Sequence, residues 1–385
     1  MTNHDRVIDL RLLIFFLAYI GTLPTHLSPT MISVHSLTDP VAAKQVIAPI
    51  LQHLRQPEYF ETALPLYRRL QFGRFLESSH LFTNRTLDRT TNAGAPSNPE
   101  DSPWFYAFVD RGCRPETEVW LFGSWEVEDR SSSSLSSTNN DQPNGSSPPS
   151  SPHAKQIQSL LLALTRTIKS LPTPPSIHPS ASILTAQTQL ASPPSTPSLP
   201  DPNTMLWGAI HVRTLPHLQA LNLLATHLLP ITPNHTFLFP LETLPPPAPL
   251  PPNLRWGRPR PEHFPLIRSR TEIARQDYTL ARLPGLAIFP ADDEDAAPVA
   301  WAFVGLDGSL TTLHAEESHR RMGLGRALSA KLFREEMGRF WEEGVQRVAH
   351  GNVVVGNEAS AAMCARLGGR EGEWVYWVMV DLGGR

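Results

Sequence analysis

The chain has 385 residues, 39 prolines and a formal net charge of −3. Its length allows two domains, although the prolines and long Ser/Pro stretches keep part of the chain out of any packed core. Acidic and basic residues are mixed, so the concentrated positive charge of a nucleic-acid-binding protein is missing and nucleic acid is not an expected partner. The only cysteines, Cys113 and Cys364, lack zinc-ligand spacing, and no metal site is expected.

The N-terminus begins with an apolar run at residues 10–23, LRLLIFFLAYIGTL. The run is as apolar as that of a signal peptide, but it is shorter than the ~20 residues of a membrane span, and no clear cleavage site follows it. Residues 1–30 are therefore interpreted as a leader, which is either a signal or anchor or a non-native extension. We expect a cytoplasmic location, with secretion or membrane attachment only if 10–23 act in that way.

The first part of a predicted N-terminal α/β half covers residues 31–130. Apolar residues recur at helical spacing within 39–74 and predict two helices, which are separated near Pro57. Two runs rich in aromatic and β-branched residues, 104–109 and 118–125, flank a Gly- and Pro-containing turn region. They predict a β-hairpin.

A Ser/Pro-rich insertion at 131–203 is expected to be mostly disordered, apart from leucines at helical spacing that predict a helix at 156–170. Residues 204–244 complete the N-terminal half, and 245–262 form a proline-rich connector. The predicted elements of the second part are a strand at 205–212, a helix at 216–229 and a strand at 235–240.

The C-terminal region, residues 263–385, has the most regular pattern. A two-residue turn, Asp307-Gly308, joins two strand-like runs. The predicted elements are strands at 286–290, 299–305 and 309–315, a helix at 323–344, a strand at 347–355, a helix at 357–367 and a strand at 374–382. This order predicts an α/β domain with a sheet flanked by helices.

The loop that enters the long predicted helix, HRRMGLGRA, has the features of an anion site. Unpaired backbone N–H groups meet at the positive end of a helix. Gly323 and Gly325 let a pyrophosphate approach the main chain without meeting a Cβ atom, while Arg320, Arg321 and Arg326 add positive charge. The pattern predicts phosphate binding.

The residues exclude two common phosphate motifs, because a P-loop needs Gly-Lys-Ser/Thr and a dinucleotide fingerprint needs G-x-G-x-x-G with a later acidic residue. The R-x-x-G-x-G pattern instead resembles the coenzyme A pyrophosphate loop of the GNAT acyltransferases. The flanking segments 298–316 and 353–368 also resemble the core of that family, most closely its glycine N-acyltransferase-like branch. The resemblance covers roughly the last 115 residues and implies a GNAT-type fold with a mixed, mostly antiparallel sheet.

The resemblance implies acetyl-CoA or another acyl-CoA as acyl donor. It implies that the main chain of Ala315 contacts the pantetheine arm, that backbone amides of the glycine-containing loop hold the pyrophosphate and that Asn357 contacts the cofactor. The cofactor-binding residues carried over in this way are Leu313, Ala315, Arg320, Arg321, Gly323, Leu324, Gly325, Arg326 and Asn357.

The catalytic residues are less clearly indicated. Many members of the family have a tyrosine as proton donor seven residues after the asparagine, and here that position is Cys364. The thiol is either a proton donor or an inert core residue. Tyr376, in the predicted last strand, is a more distant candidate for the missing donor. His314 is the candidate base, but side chains alternate along a strand, so it faces the cofactor beside Leu313 and Ala315 only if a bulge intervenes.

The expected function is N-acyl transfer by direct attack of an amine on an acyl-CoA thioester, with a small molecule or an amino acid as acceptor. The alternative is a catalytically weak or inactive coenzyme A-binding or interaction module. The sequence indicates no oligomeric state.

Overall fold

A computed structural model describes residues 32–87, 102–127, 153–174 and 201–383, apart from residues 272 and 274. The leader and most of the predicted insertion lie outside these ranges. The strands, in chain order, are β1 (Ser33–Ser36), β2 (Ser79–Thr83), β3 (Phe105–Asp110), β4 (Val119–Gly123), β5 (Thr204–His211), β6 (Pro233–Pro240), β7 (Leu254–Gly257), β8 (Gly285–Pro290), β9 (Ala300–Val304), β10 (Ser309–Ala315), β11 (Val348–Val354) and β12 (Arg370–Asp381). The α-helices are α1 (Pro40–Leu54), α2 (Leu64–Phe72), α3 (Ala154–Ser170), α4 (Leu215–Ala220), α5 (Phe264–Ser269), α6 (Asp277–Leu280), α7 (Leu324–Glu335) and α8 (Glu358–Arg366).

All of these strands belong to one sheet, with the order β1-β2-β3-β4-β5-β12-β6-β11-β10-β9-β8-β7. Only the pairs β4–β5 and β10–β11 are parallel among the strands described. The predicted α/β class and the mixed, mostly antiparallel sheet flanked by helices are confirmed. The predicted hairpin of the N-terminal half is the antiparallel pair β3–β4.

The chain traces the same succession of elements twice. A strand, two helices, three strands, a helix, a strand, a helix and a strand run from β1 to β6 and again from β7 to β12. We call these stretches the first repeat (33–240) and the second repeat (254–381). In each repeat the single parallel pair joins the fourth and fifth strands.

The two repeats exchange their last strands. β12 pairs with β5 of the first repeat, and β6 pairs with β11 of the second. The two exchanged strands also pair with each other, antiparallel, at the middle of the sheet. Residues 204–244 therefore supply a strand that lies between two strands of the predicted C-terminal domain.

Some predicted boundaries are wrong. The helix predicted at 323–344 ends at Glu335 and is followed by a 3₁₀ turn, Gly338–Phe340, which brings Phe340 into the core. The helix predicted at 216–229 ends at Ala220, since Asn222 takes a positive φ and Leu224 bridges to β12. The predicted connector at 245–262 contains β7, which pairs with β8.

Apolar helix faces hold the layers together. The apolar stripe of α7 is buried, with Leu324, Leu328 and Leu332 at 3 % exposure or less in one core with β8, β9 and β11. The leucine-rich helix predicted at 156–170 is α3, whose apolar face packs into a separate core of the first repeat. These contacts fix the position of α7 against the sheet.

Candidate functional site

The two strands of the parallel pair β10–β11 part soon after they meet. They are in register only at Ser309–His350 and Leu310–Gly351, and β10 has an irregularity between Thr311 and His314. Thr312 within it has a φ of 54°. Beyond the second pair the facing edges of the strands no longer hydrogen-bond to each other, so an extended ligand could pair with them.

A cleft of about 790 Å³ lies at the C-terminal end of β10. Three segments form it: the end of β10, the loop and first turn of α7, and one face of α8. The nine predicted cofactor-binding residues and His314 all line this cleft, and Cys364 does not. The fold thus brings the predicted residues of β10, of the glycine-containing loop and of α8 together in one cavity.

Backbone geometry prepares the start of α7 for an anion. Gly323 is the N-cap in a left-handed conformation with φ 78°, and Arg321 has φ 64°. The first N–H groups of the helix have no acceptor within it and carry the positive end of its dipole. A Cβ atom at Gly325 would lie 3.8 Å from Leu313 Cδ2 and 3.9 Å from Met363 Cγ, between two side chains that line the cleft. The absence of a side chain there keeps the helix end accessible.

The cleft is positively charged. Arg320, Arg321 and Arg326 are exposed in its lining, and α8 adds Arg366. The Arg320 Nε atom donates a hydrogen bond to the Ala315 carbonyl, at 3.2 Å. Guanidinium groups are well suited to bind phosphate oxygens in a bidentate manner.

One face of α8 beyond Asn357 also forms part of the cleft, which the sequence motifs did not predict. Ala359, Ala362, Met363 and Arg366 all line the cleft, at the three- and four-residue spacing of one helix face. Two alanines in this row leave room for a ligand, and Arg366 completes a set of four cleft arginines. The signal was present in the sequence as this periodicity.

Asn357 begins α8 at the edge of the cleft. Its side-chain oxygen accepts a hydrogen bond from the Ser360 backbone N–H, at 3.1 Å, and caps the helix. Gly356 before it has φ 89°. The asparagine therefore has a structural role as the helix cap in addition to its place in the cleft lining.

His314 lies in the cleft because of the bulge. Leu313, His314 and Ala315 all line the cavity, which strict alternation along β10 would not allow. The imidazole stacks on Trp301 with ring centres 4.8 Å apart, and its Nε2 atom lies 3.7 Å from Glu316 Oε2. Burial lowers the pKa of His314, an effect that nearby Glu316 partly opposes, so the neutral ring predominates at pH 7.

Cys364 is a core residue and not a cleft residue. Its side chain is 2 % exposed and packs in the apolar core behind α7 and α8. Burial raises the pKa of its thiol to about 11. The suggested role as proton donor is therefore not supported by its position. Tyr376 is also buried, within the core of the first repeat, and does not line the cleft.

The first repeat has a tryptophan where the second has this cleft. Gly208 pairs with Trp120 in β4–β5 as Gly351 pairs with Leu310 in β10–β11, so Thr214, six residues later, corresponds to Asn357. The buried Thr214 Oγ1 atom accepts a hydrogen bond from Trp125 Nε1 at 2.9 Å. The corresponding space is thus filled by a side chain of the repeat itself.

Two further observations concern metal ligands and membrane-spanning helices. Within the described ranges of 32–383, no three His, Cys, Asp or Glu side chains converge in a way that could hold a metal ion. None of the helices described is both long enough and apolar enough to cross a bilayer.

Comparison with solved structures finds chains with a related fold at low identity. A protein from Drosophila superposes with a TM-score of 0.51 at 14% identity, over 90% of this chain and 98% of that one. A GCN5-related N-acetyltransferase from Sphaerobacter thermophilus has a TM-score of 0.44 at 12% identity, over 91% of this chain and 96% of that one. A tandem GNAT protein from the clavulanic acid biosynthesis pathway has a TM-score of 0.41 at 10% identity, over 92% and 100%. No curated protein matches the sequence significantly.

Two family descriptions match the sequence, one in each repeat. The description "Acyl-CoA N-acyltransferase verG N-terminal domain" matches residues 18–237, which is more than half of the chain and includes nearly all of the first repeat. The description "FR47-like protein" matches residues 289–378, which contain the cleft. The chain therefore belongs to the acyl-CoA N-acyltransferase family of the verG N-terminal domain, within the GNAT acyltransferases.

Proposed function

We propose that the protein transfers an acetyl or other short acyl group from acyl-coenzyme A to a primary amine of a small molecule or an amino acid. The observation that carries this proposal is the cleft itself. A parted pair of parallel strands leads directly to a helix N-terminus surrounded by arginines. Such a site suits a ligand with an extended arm at one end and a pyrophosphate at the other.

Each part of the cleft has a distinct role in this proposal. The backbone N–H groups of Leu324 to Arg326 bind the pyrophosphate, and Arg320, Arg321 and Arg366 neutralise its charge. The carbonyl of Ala315 accepts a hydrogen bond from Arg320 and becomes available to the pantetheine arm once the arginine turns towards phosphate. Acyl-coenzyme A supplies an activated thioester carbonyl.

The acceptor must present a neutral amine to that carbonyl. Its nitrogen forms the new C–N bond, the C–S bond breaks and coenzyme A leaves as a thiolate, while the amine gives up one proton. His314 is the candidate base, because its neutral ring lines the cleft and Glu316 can stabilise the imidazolium that forms. Since Cys364 is buried in the core, water is the proposed proton source for the thiolate.

A second candidate function is a coenzyme A-binding module with weak or no turnover. The burial of Cys364 and Tyr376 favours it, because neither side chain can serve as a proton donor in the cleft. Both candidates predict cofactor binding, and they differ in acyl transfer. Cys113 and Cys364 are free thiols, which supports a reducing, cytoplasmic location for either.

The test is a calorimetric titration of the full chain with acetyl-coenzyme A, followed by a screen of amine acceptors for acyl transfer. The variant Arg320→Glu/Gly325→Asp places two carboxylates in the cleft and should abolish binding. Its matched control, Arg339→Glu/Gly338→Asp, makes the same charge change at exposed positions outside the cleft and should bind normally. If the folded wild type binds neither acetyl-, longer acyl- nor free coenzyme A, both candidates are wrong.

A further inference from the structure

A second cavity, of about 300 Å³, lies where the two repeats meet. Residues of β5, β12, β6 and β11 contribute to its lining, together with residues 61–65 before and at the start of α2. Its β11 residue is His350, whereas Ala349 and Val353 of the same strand pack in the core with α7. Because side chains alternate along a strand, this cavity opens on the face of β11 opposite to the proposed acyl-coenzyme A cleft.

The cavity is close to the point where β10 and β11 part. His350 pairs with Ser309, one residue before the last parallel pair, Leu310–Gly351. Asn352, one residue beyond that pair, shares the His350 face and accepts a hydrogen bond from Thr236, which also lines the cavity. Residues on β11 are about 3.3 Å apart. A ligand in the cavity would thus lie against the face of the sheet behind the opening into which the acyl arm is proposed to enter.

His350 is a buried polar group without a hydrogen-bond partner. Its side chain is fully buried, and neither ring nitrogen makes a hydrogen bond to the residues described. Asp307 Oδ2 lies 4.0 Å from Nε2, which is beyond hydrogen-bonding distance. Burial and the charge of Arg68 lower the pKa of His350 to about 4, although Asp307 opposes the shift. The neutral ring therefore has a free acceptor nitrogen, and buried polar groups are normally paired.

The rim of the cavity carries more negative than positive charge. Three carboxylates, Glu61, Glu371 and Glu373, line it with one guanidinium, Arg370, which pairs with Glu61. Glu371 is largely exposed at 71 % and lies 3.8 Å from the imidazole of His235. Such a rim attracts cations and repels a ligand with a free carboxylate.

We propose that this cavity binds the acyl acceptor as a cationic amine, with His350 accepting a hydrogen bond from an amine N–H and the carboxylates binding the remaining positive charge. The inference rests on the proposed acyl transfer and narrows its acceptor class. The favoured acceptors are small diamines and related compounds with a second positive charge, whereas amino acids with a free carboxylate are disfavoured.

The first experiment measures binding without turnover. The full chain is titrated with 1,4-diaminobutane and with glycine, in the absence and presence of free coenzyme A. The variant Glu371→Lys reverses a charge at the rim, and Glu343→Lys makes the same change at an exposed position outside the cavity. We expect Glu371→Lys to weaken diamine binding at least tenfold and Glu343→Lys to change it less than twofold, while both keep the wild-type affinity for coenzyme A.

The variant His350→Phe tests the imidazole, because it fills similar space without an acceptor nitrogen. We expect diamine binding to weaken tenfold with acetyl-coenzyme A binding unchanged; the Glu371→Lys result stands if this variant does not fold. Absence of diamine binding, or equal effects of the two lysine variants, overturns the cavity assignment. If diamines bind but no amine is acylated, only the proposed acyl transfer is refuted. If a diamine is acylated equally well by the wild type and by Glu371→Lys, only the assignment of the cavity as the acceptor site is refuted.

Discussion

The substitution Gly325→Ala should separate cofactor binding from stability. The new Cβ atom would lie 3.8 Å and 3.9 Å from its nearest neighbours, which are ordinary contact distances, so the fold accepts it. Because Gly325 is in the first turn of α7, replacing it with alanine removes the entropic disadvantage of glycine in a helix. The expected gain in the free energy of unfolding is roughly 0.5–1 kcal/mol.

The same methyl group should weaken the binding of acetyl-coenzyme A. It projects between Leu313 and Met363, into the space where the pyrophosphate is proposed to meet the backbone N–H groups. Displacement of the phosphate by one methyl group removes at least one hydrogen bond to a charged group, worth about 1.5–3 kcal/mol. The dissociation constant should therefore rise at least tenfold, since a factor of ten corresponds to about 1.4 kcal/mol.

Thermal unfolding and calorimetric titration with acetyl-coenzyme A measure the two effects. The matched control is Gly338→Ala. An added Cβ atom there meets nothing within 4 Å, and Gly338 does not line the cleft. The control should bind acetyl-coenzyme A like the wild type. If Gly325→Ala also binds with wild-type affinity, the pyrophosphate does not approach α7 as proposed.

Three further outcomes are expected. Arg366→Ala should weaken acetyl-coenzyme A binding by roughly tenfold in calorimetry, more at low than at high salt, and an unchanged affinity would remove α8 from the site. Because the pKa of His350 falls from 6.5 to about 4 on folding, the unfolded chain binds more protons between these values. Above pH 6.5 the ring is neutral in both states and does not change the free energy of unfolding. From pH 6.5 towards pH 4 the free energy of unfolding falls by up to about 1.4 kcal/mol per pH unit. The stability of His350→Phe in denaturant titrations should therefore depend less on pH between these values. Cys364→Ala should lower the free energy of unfolding by about 1–2 kcal/mol in denaturant titrations and leave acyl transfer per folded molecule unchanged, whereas a large loss of turnover would restore the thiol as a proton donor.

The cleft could be predicted because its signals are local in the sequence. The end of β10, the loop and the start of α7 are contiguous, and Gly323 indicates the left-handed N-cap of α7, whereas no glycine indicates the positive φ of Arg321. His314 depended on a bulge, which the sequence did not reveal, so its orientation was left open. Local signals thus determined the segment but not every side-chain direction.

Helix phase explains why Cys364 lies in the core and not in the cleft. Met363 faces the cleft, and the next residue along an α-helix is rotated by about 100°, which turns Cys364 into the core. The residues 359, 362, 363 and 366 already define the cleft-facing side. A helical projection of α8 would therefore have placed the thiol on the side opposite to the cleft.

The repeat and the strand exchange could not be predicted from local patterns. In sequence, the segment 128–152 that precedes α3 is Ser/Pro-rich and lacks the G-x-G pattern found before α7. The pairing of β12 with β5 joins residues more than 150 positions apart, such as Asp381 and Thr204. Hydrophobic periodicity identifies a strand but contains no information on its neighbours.

The exchange of last strands has a consequence for how the chain matures. β12 is the last of the described strands to be synthesised, yet its place is between β5 and β6, both made well over a hundred residues earlier. Until β12 has been made, β5 and β6 present open edges, and such edges favour association with other chains. We expect nascent chains truncated before residue 370 to recruit chaperones or aggregate, because the centre of the sheet closes only when β12 is available.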